Sequence, residues 1–145
     1  MKIDKAELAK NAEKMTENIQ AKQNLMKEID NFNLNAGKEK KRIKYNPNNV
    51  LMIEKINEKI IFLERGDSAG KSGYKHVLKH ADDFKKGQGI MVSKIPQTLF
   101  NTLRKNEIRR YQGKGTGRPV YNGEQGAIAI TVADNGYIVG ANPTK

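Results

Sequence analysis

Both histidines of this 145-residue chain, His76 and His80, lie in one stretch, Gly73-Tyr74-Lys75-His76-Val77-Leu78-Lys79-His80-Ala81-Asp82-Asp83-Phe84, set four residues apart. Imidazole is the side chain best suited to exchanging protons near neutral pH, and Lys71, Lys75 and Lys79 surround the pair with positive charge. That combination suits a reaction in which the substrate brings its own nucleophile next to an anion. RNA is such a substrate. A base takes the 2′-hydroxyl proton, an acid serves the leaving 5′-oxygen, and cations hold the phosphate; no metal is required. Two blander readings stand beside this one. The histidines could belong to a solvated polar helix face, or the i, i+4 pair could hold a zinc ion. The zinc reading is weakened by Val77-Leu78-Lys79 between them, where a zinc protease would have a glutamate after the first histidine, and by lysines that repel a divalent cation.

A helix must carry this pair. Tyr74, Val77, Leu78, Ala81 and Phe84 recur at three- and four-residue spacing, which predicts an amphipathic helix starting after the Gly/Ser segment and ending before Gly87. At 100° per residue, His76 falls roughly 140° and His80 roughly 100° from the centre of that apolar stripe, so neither is expected in the core. The lead-in, 66–73, contains Gly-Lys-Ser but is not a phosphate-binding loop of the nucleotide-hydrolysing kind, because the position five before Gly70 is Arg65. Lys71 remains a candidate phosphate contact.

The rest of the chain reads as support. Asp4 can cap a long helix with Leu8, Ala12, Met15, Ile19, Met26 and Ile29 on one narrow seam. Residues 33–49, with Gly37, a Lys/Arg run and Asn46-Pro47-Asn48-Asn49, read as a linker. Val50, Ile53, Ile56 and Ile60 favour a further helix over 50–63, whose closing run Ile60-Ile61-Phe62-Leu63 is its last turn or a short buried strand. A helix over 93–105 follows, with Pro96 in its first turn. Strands are expected at 108–111, 119–121, 126–133 and 137–142, with Asp134-Asn135-Gly136 as a hairpin turn. The fold class is therefore α+β: N-terminal helices followed by a small twisted antiparallel sheet, divided as 1–45 and 46–145. On the third of these β segments, before the turn, Ile128, Ile130 and Val132 alternate with Ala127, Ala129 and Thr131, so the Thr131 side chain need not point into the core.

Charge names the class of partner. Lys and Arg number 27 against 16 Asp and Glu, for a formal charge of +11. Residues 1–66 contribute +4 and residues 67–145 contribute +7, so most of the excess accompanies the histidines. A polyanion is the expected partner. Arg109, Arg110, Tyr111, Lys114 and Arg118, interleaved with Gly113, Gly115 and Gly117, form a second basic cluster that can follow an RNA backbone, or else a charged hairpin tip. A basic chain can also bind nucleic acid without altering it, so a non-catalytic RNA- or DNA-binding module is the alternative. With no cysteine there is no disulfide, thiol nucleophile or thiolate metal site, and no run approaches the roughly 20 apolar residues of a membrane span.

The histidine stretch, followed by Gly89-Ile90 and by a β region ending Asn135-Gly136-Tyr137-Ile138-Val139-Gly140-Ala141-Asn142-Pro143, resembles the bacterial toxin ribonucleases grouped with barnase, EndoU, colicin D and RelE. The likeness covers residues 50–145. It implies a metal-independent endoribonuclease without a cofactor, cleaving RNA and commonly transfer RNA, in which Lys75-His76 does the proton work and Thr131 on a core strand helps hold the scissile phosphate. His80 is then a second proton carrier or is held by Asp83. Gly73 stands where colicin D-like members have an extra lysine, with Lys71 two residues earlier. The resemblance further implies the C-terminal part of an exported effector of the contact-dependent-inhibition type, secreted or held on the cell surface. It would be delivered into the target-cell cytoplasm, with residues 1–45 as a helical linker for passage, and paired with an immunity protein. Some members also need a host elongation factor.

Overall fold

The computed structural model describes residues 5–36, 43–66, 70–113, 115 and 117–144, and of residues 5–18 the backbone alone. The chain forms two compact units, Met1–Ile43 and Lys44–Lys145. The first is built on one helix, α1 (Lys5–Asn35). Its end is tied by Asn33, whose amide accepts from Ile43 N at 2.7 Å and donates to Ile43 O at 2.9 Å.

The second unit is α+β. It opens with strands β1 (Val50–Ile56) and β2 (Lys59–Glu64), paired antiparallel. This corrects the expected helix over 50–63. The apolar spacing of Val50, Ile53 and Ile56 imitates a helix because Ile53 and Ile56, three apart in regular pairing, are buried on opposite faces of the strand, and a register slip between Val50 and Met52 shifts the residue before them. Asn57 and Glu58 turn the hairpin with positive φ angles of 50° and 66°, the geometry of a type I′ turn without its usual glycine.

Three helices follow: α2 (Gly73–Leu78), α3 (Ala81–Gln88) and α4 (Ile95–Lys105). The single histidine helix expected over 74–84 is thus two. The chain turns at Lys79-His80, His80 takes φ −104° and ψ 15°, and α3 runs past Gly87 to a left-handed cap at Gly89. The apolar stripe is unbroken across the turn, since Val77 and Phe84 enter the same core.

Strands β3 (Ile108–Gln112), β4 (Arg118–Asn122), β5 (Ala127–Val132) and β6 (Ile138–Pro143) make an antiparallel sheet in that order. Ile128 and Ile130 of β5 are fully buried against Phe84, Leu99 and Phe100 from the helices and Leu63 from β2. Burial of each such side chain contributes roughly 1.5–3 kcal/mol. The two sheets meet where Phe62 N donates to Gly136 O at 2.9 Å. Any side chain at Gly136 would begin 2.0 Å from the Ile60 carbonyl, so glycine is required there.

Helix α2 is pinned between β2 and β6. Lys75 N donates to Arg65 O at 2.9 Å, and Ser72 Oγ lies 3.0 Å from the Tyr137 hydroxyl. Gly73, at φ 74°, passes so close to that hydroxyl that a Cβ would stand 2.8 Å from it. These contacts decide what α2 presents to the sheet.

Candidate functional site

His76 leans from α2 onto β6. A Cβ placed on Gly140 would lie 2.6 Å from His76 Cδ2 and 3.2 Å from Nε2, so the ring occupies the space that glycine leaves open on the strand. The other ring nitrogen, Nδ1, is 3.2 Å from Gly70 O. A carbonyl only accepts, so this bond puts the proton of neutral His76 on Nδ1 and leaves the Nε2 lone pair facing the sheet. That is the tautomer a general base needs.

Gly140 is the register partner of Thr131 on β5. Residues paired in this way project from the same face, with Cβ atoms about 4.5–5.5 Å apart. Thr131 Oγ1 accepts a 2.7 Å bond from Arg118 Nε on β4, and Arg118 Nη1 donates to Asn142 Oδ1 on β6 at 2.9 Å. Both partners are neutral, so the two bonds orient the guanidinium and leave its charge intact. The line across the sheet runs His76, Gly140, Thr131, Arg118.

The pairing of β3 with β4 adds Arg110 and Gln112 to this face, opposite Val120 and Arg118. Arg110 Nη2 donates to Thr144 Oγ1 at 3.2 Å, joining β3 to the chain just beyond β6 across this face. Beneath the guanidinium groups, Val120, Ala127 and Ala129 are buried as a small apolar floor. Arg109 sits at the register slip between Ile108 and Arg110, and its Nε donates to Asn122 Oδ1 at 2.7 Å.

His80 lies beside His76, ring centroids 6.1 Å apart and edge to face. Its Nδ1 is 3.4 Å from Asp83 Oδ2, and its side chain is about one-third exposed. The structure thus holds it by Asp83 next to the first imidazole. Lys71 and Lys75 are exposed, and Lys79 crosses Gly70, its Nζ 3.6 Å from where a Cβ there would be. The lysines therefore ring the loop whose carbonyl holds His76.

The site residues expected from sequence are not all on one surface. His76, Thr131, Arg118 and Arg110 share the sheet face. Tyr111 does not: paired with Pro119, it points to the opposite face and is 61% exposed. Lys114 lies outside the described residues. Three participants carried no expected role: Gly140, Asn142 and the Gly70 carbonyl. Counting by two from Gly140 reaches Asn142 and would have put both on one face, but their pairing with Thr131 and Ala129 is a long-range register that local pattern does not reveal.

Among the described residues no group of three His, Cys, Asp or Glu side chains is placed to hold a metal ion, and no helix is long and apolar enough to cross a membrane. What fold and site define together is an α+β unit with a histidine set on a cationic sheet face. No protein-family model matches the chain, and no curated protein matches it.

Proposed function

We propose that the chain is an endoribonuclease that needs no metal, cutting RNA by attack of the 2′-hydroxyl on the adjacent phosphate. The observation that carries this reading is the His76 Nδ1 bond to Gly70 O, which leaves Nε2 as a proton acceptor on the face that also displays Arg118 and Thr131. In this mechanism Nε2 removes the 2′-hydroxyl proton, and the O2′–P bond forms as the P–O5′ bond breaks. Arg118 neutralises charge building on the non-bridging oxygens, and the Thr131 hydroxyl donates to one of them. The leaving 5′-oxygen takes its proton from His80 or from water, and the products are a 2′,3′-cyclic phosphate and a 5′-hydroxyl.

The substrate class fits a transfer RNA whose bent backbone lies across this sheet face while Lys71, Lys75 and Lys79 hold flanking phosphates. Such an activity suits an exported toxin, made safe in the producing cell by an acidic immunity protein that covers the same face.

The test is RNA extracted from cells expressing the chain, beside purified RNA incubated with it in EDTA, so that a required host factor is not missed. Defined fragments are expected, with ends that report cyclic phosphate, and they should disappear with His76→Ala at unchanged thermal stability. Intact RNA that is merely retarded in a gel would instead establish the binding module, and activity lost in chelator would assign the chemistry to a metal.

A further inference from the structure

A cavity of about 440 Å³ opens where the β1–β2 turn and the end of α4 meet the sheet. Its floor is apolar, formed by Ile61, Leu103 and Val132, and it reaches Arg118 and Thr131 of the proposed site. Two asparagines border it, Asn57 from the hairpin turn and Asn106 from the cap of α4. Both take left-handed backbone angles, φ 50° and 53°. Neither side-chain amide makes a hydrogen bond within the described residues. Both amides are exposed, and asparagine is an ordinary choice for the left-handed positions of a tight turn and a helix cap; what bears on a ligand is that the two border the same cavity.

The chemistry of that ligand follows from the lining. Amides offer a donor and an acceptor side by side, the complement of a nucleobase edge. Tyr121 forms part of the wall and supplies an aromatic surface. Burial, and less strongly Tyr111, hold its hydroxyl above the usual tyrosine range. An apolar floor, one aromatic ring and two amides on the rim, ending at an arginine, match a base joined to its phosphate.

We infer that this cavity receives the nucleobase whose 3′-phosphate is cut, so that Asn57 and Asn106 set which base the enzyme prefers. This rests on the nuclease reading for the identity of the phosphate. Arg118 links the two, since it lines the cavity and carries Thr131.

The experiment measures binding of the four ribonucleoside 3′-monophosphates to the purified chain by calorimetry or NMR, and maps the base preceding each cut in RNA. The variants are Asn57→Gly and Asn106→Gly, because glycine accepts a positive φ without strain and removes only the amide. One nucleotide should bind about tenfold tighter than the others, and each variant should shrink that preference several-fold at an unchanged melting temperature. Equal binding of all four, or a preference that survives both variants, would overturn the assignment. Failure of the nuclease reading shows separately, as RNA left intact by the wild type, and the mononucleotide measurement reads the cavity regardless of it.

Discussion

At the scale of single residues, the decisive position has no side chain. Gly140 leaves room for an imidazole, and its backbone is not in the left-handed region, so Gly140→Ala perturbs the ring without straining the strand. The expected result is cleavage reduced about 100-fold, as a misplacement near 1 Å does elsewhere, with little change in melting temperature. Thr131 separates a hydroxyl role from a packing role. Thr131→Ser keeps the acceptor for Arg118 and should retain most activity, whereas Thr131→Val leaves the Arg118 Nε–H without that partner, a cost of roughly 1–3 kcal/mol, and cleavage should fall at least tenfold. Single-turnover rates on one RNA compare both. The histidines and Arg118 stood out by residue type, and Thr131 was singled out by the family resemblance, alternation showing only that it need not face the core. Gly140 was not, because its importance lies in a contact with a residue 64 positions away.

Among the elements, the hairpin β1–β2 is the part that local pattern misjudged, and the reason is physical. Burial on both faces puts Ile53 and Ile56 of β1 at helical spacing and makes Ile60 to Leu63 of β2 a run, and the turn between them lacks the glycine that would have marked a hairpin. The break between α2 and α3 escaped for the converse reason, a continuous apolar stripe. The end of β2 carries a pH-dependent element. Burial holds the Glu64 carboxyl above the usual carboxylate range, against the smaller opposing effect of the Asn46 N–H that it accepts at 3.1 Å. The folded state therefore disfavours its ionised form. Below the unfolded carboxylate pKa of about 4.3 both states are protonated and nothing is lost; the destabilisation grows as pH rises and is complete above the folded value. Glu64→Gln keeps an acceptor for Asn46 and never ionises. Its melting temperature should exceed the wild type's at pH 7, and the difference should close as the pH is lowered toward 3.

For the whole molecule, a formal charge of +11 makes the encounter with a polyanion electrostatic, and in the proposed function that polyanion is RNA. Binding to single-stranded RNA should weaken with salt with a logarithmic slope of about −0.7 per phosphate contacted. Replacing Lys75 or Lys79 by alanine should flatten that slope by roughly one contact each, whatever the RNA sequence, whereas Asn106→Gly should leave it unchanged. Filter-binding titrations from 50 to 300 mM salt (roughly the range over which such slopes are linear) distinguish the two kinds of residue.

His76 is oriented by a peptide oxygen and not by a carboxylate, as it would be in a Ser-His-Asp relay. A main-chain acceptor settles which nitrogen holds the hydrogen, and no exchange of one amino acid for another deletes it. It also supplies no full negative charge to offset the imidazolium formed midway through the reaction. In the proposed chemistry the counter-ion must then arrive with the RNA as its own phosphodiester, so that proton uptake by this imidazole and occupancy of the groove become one coupled event.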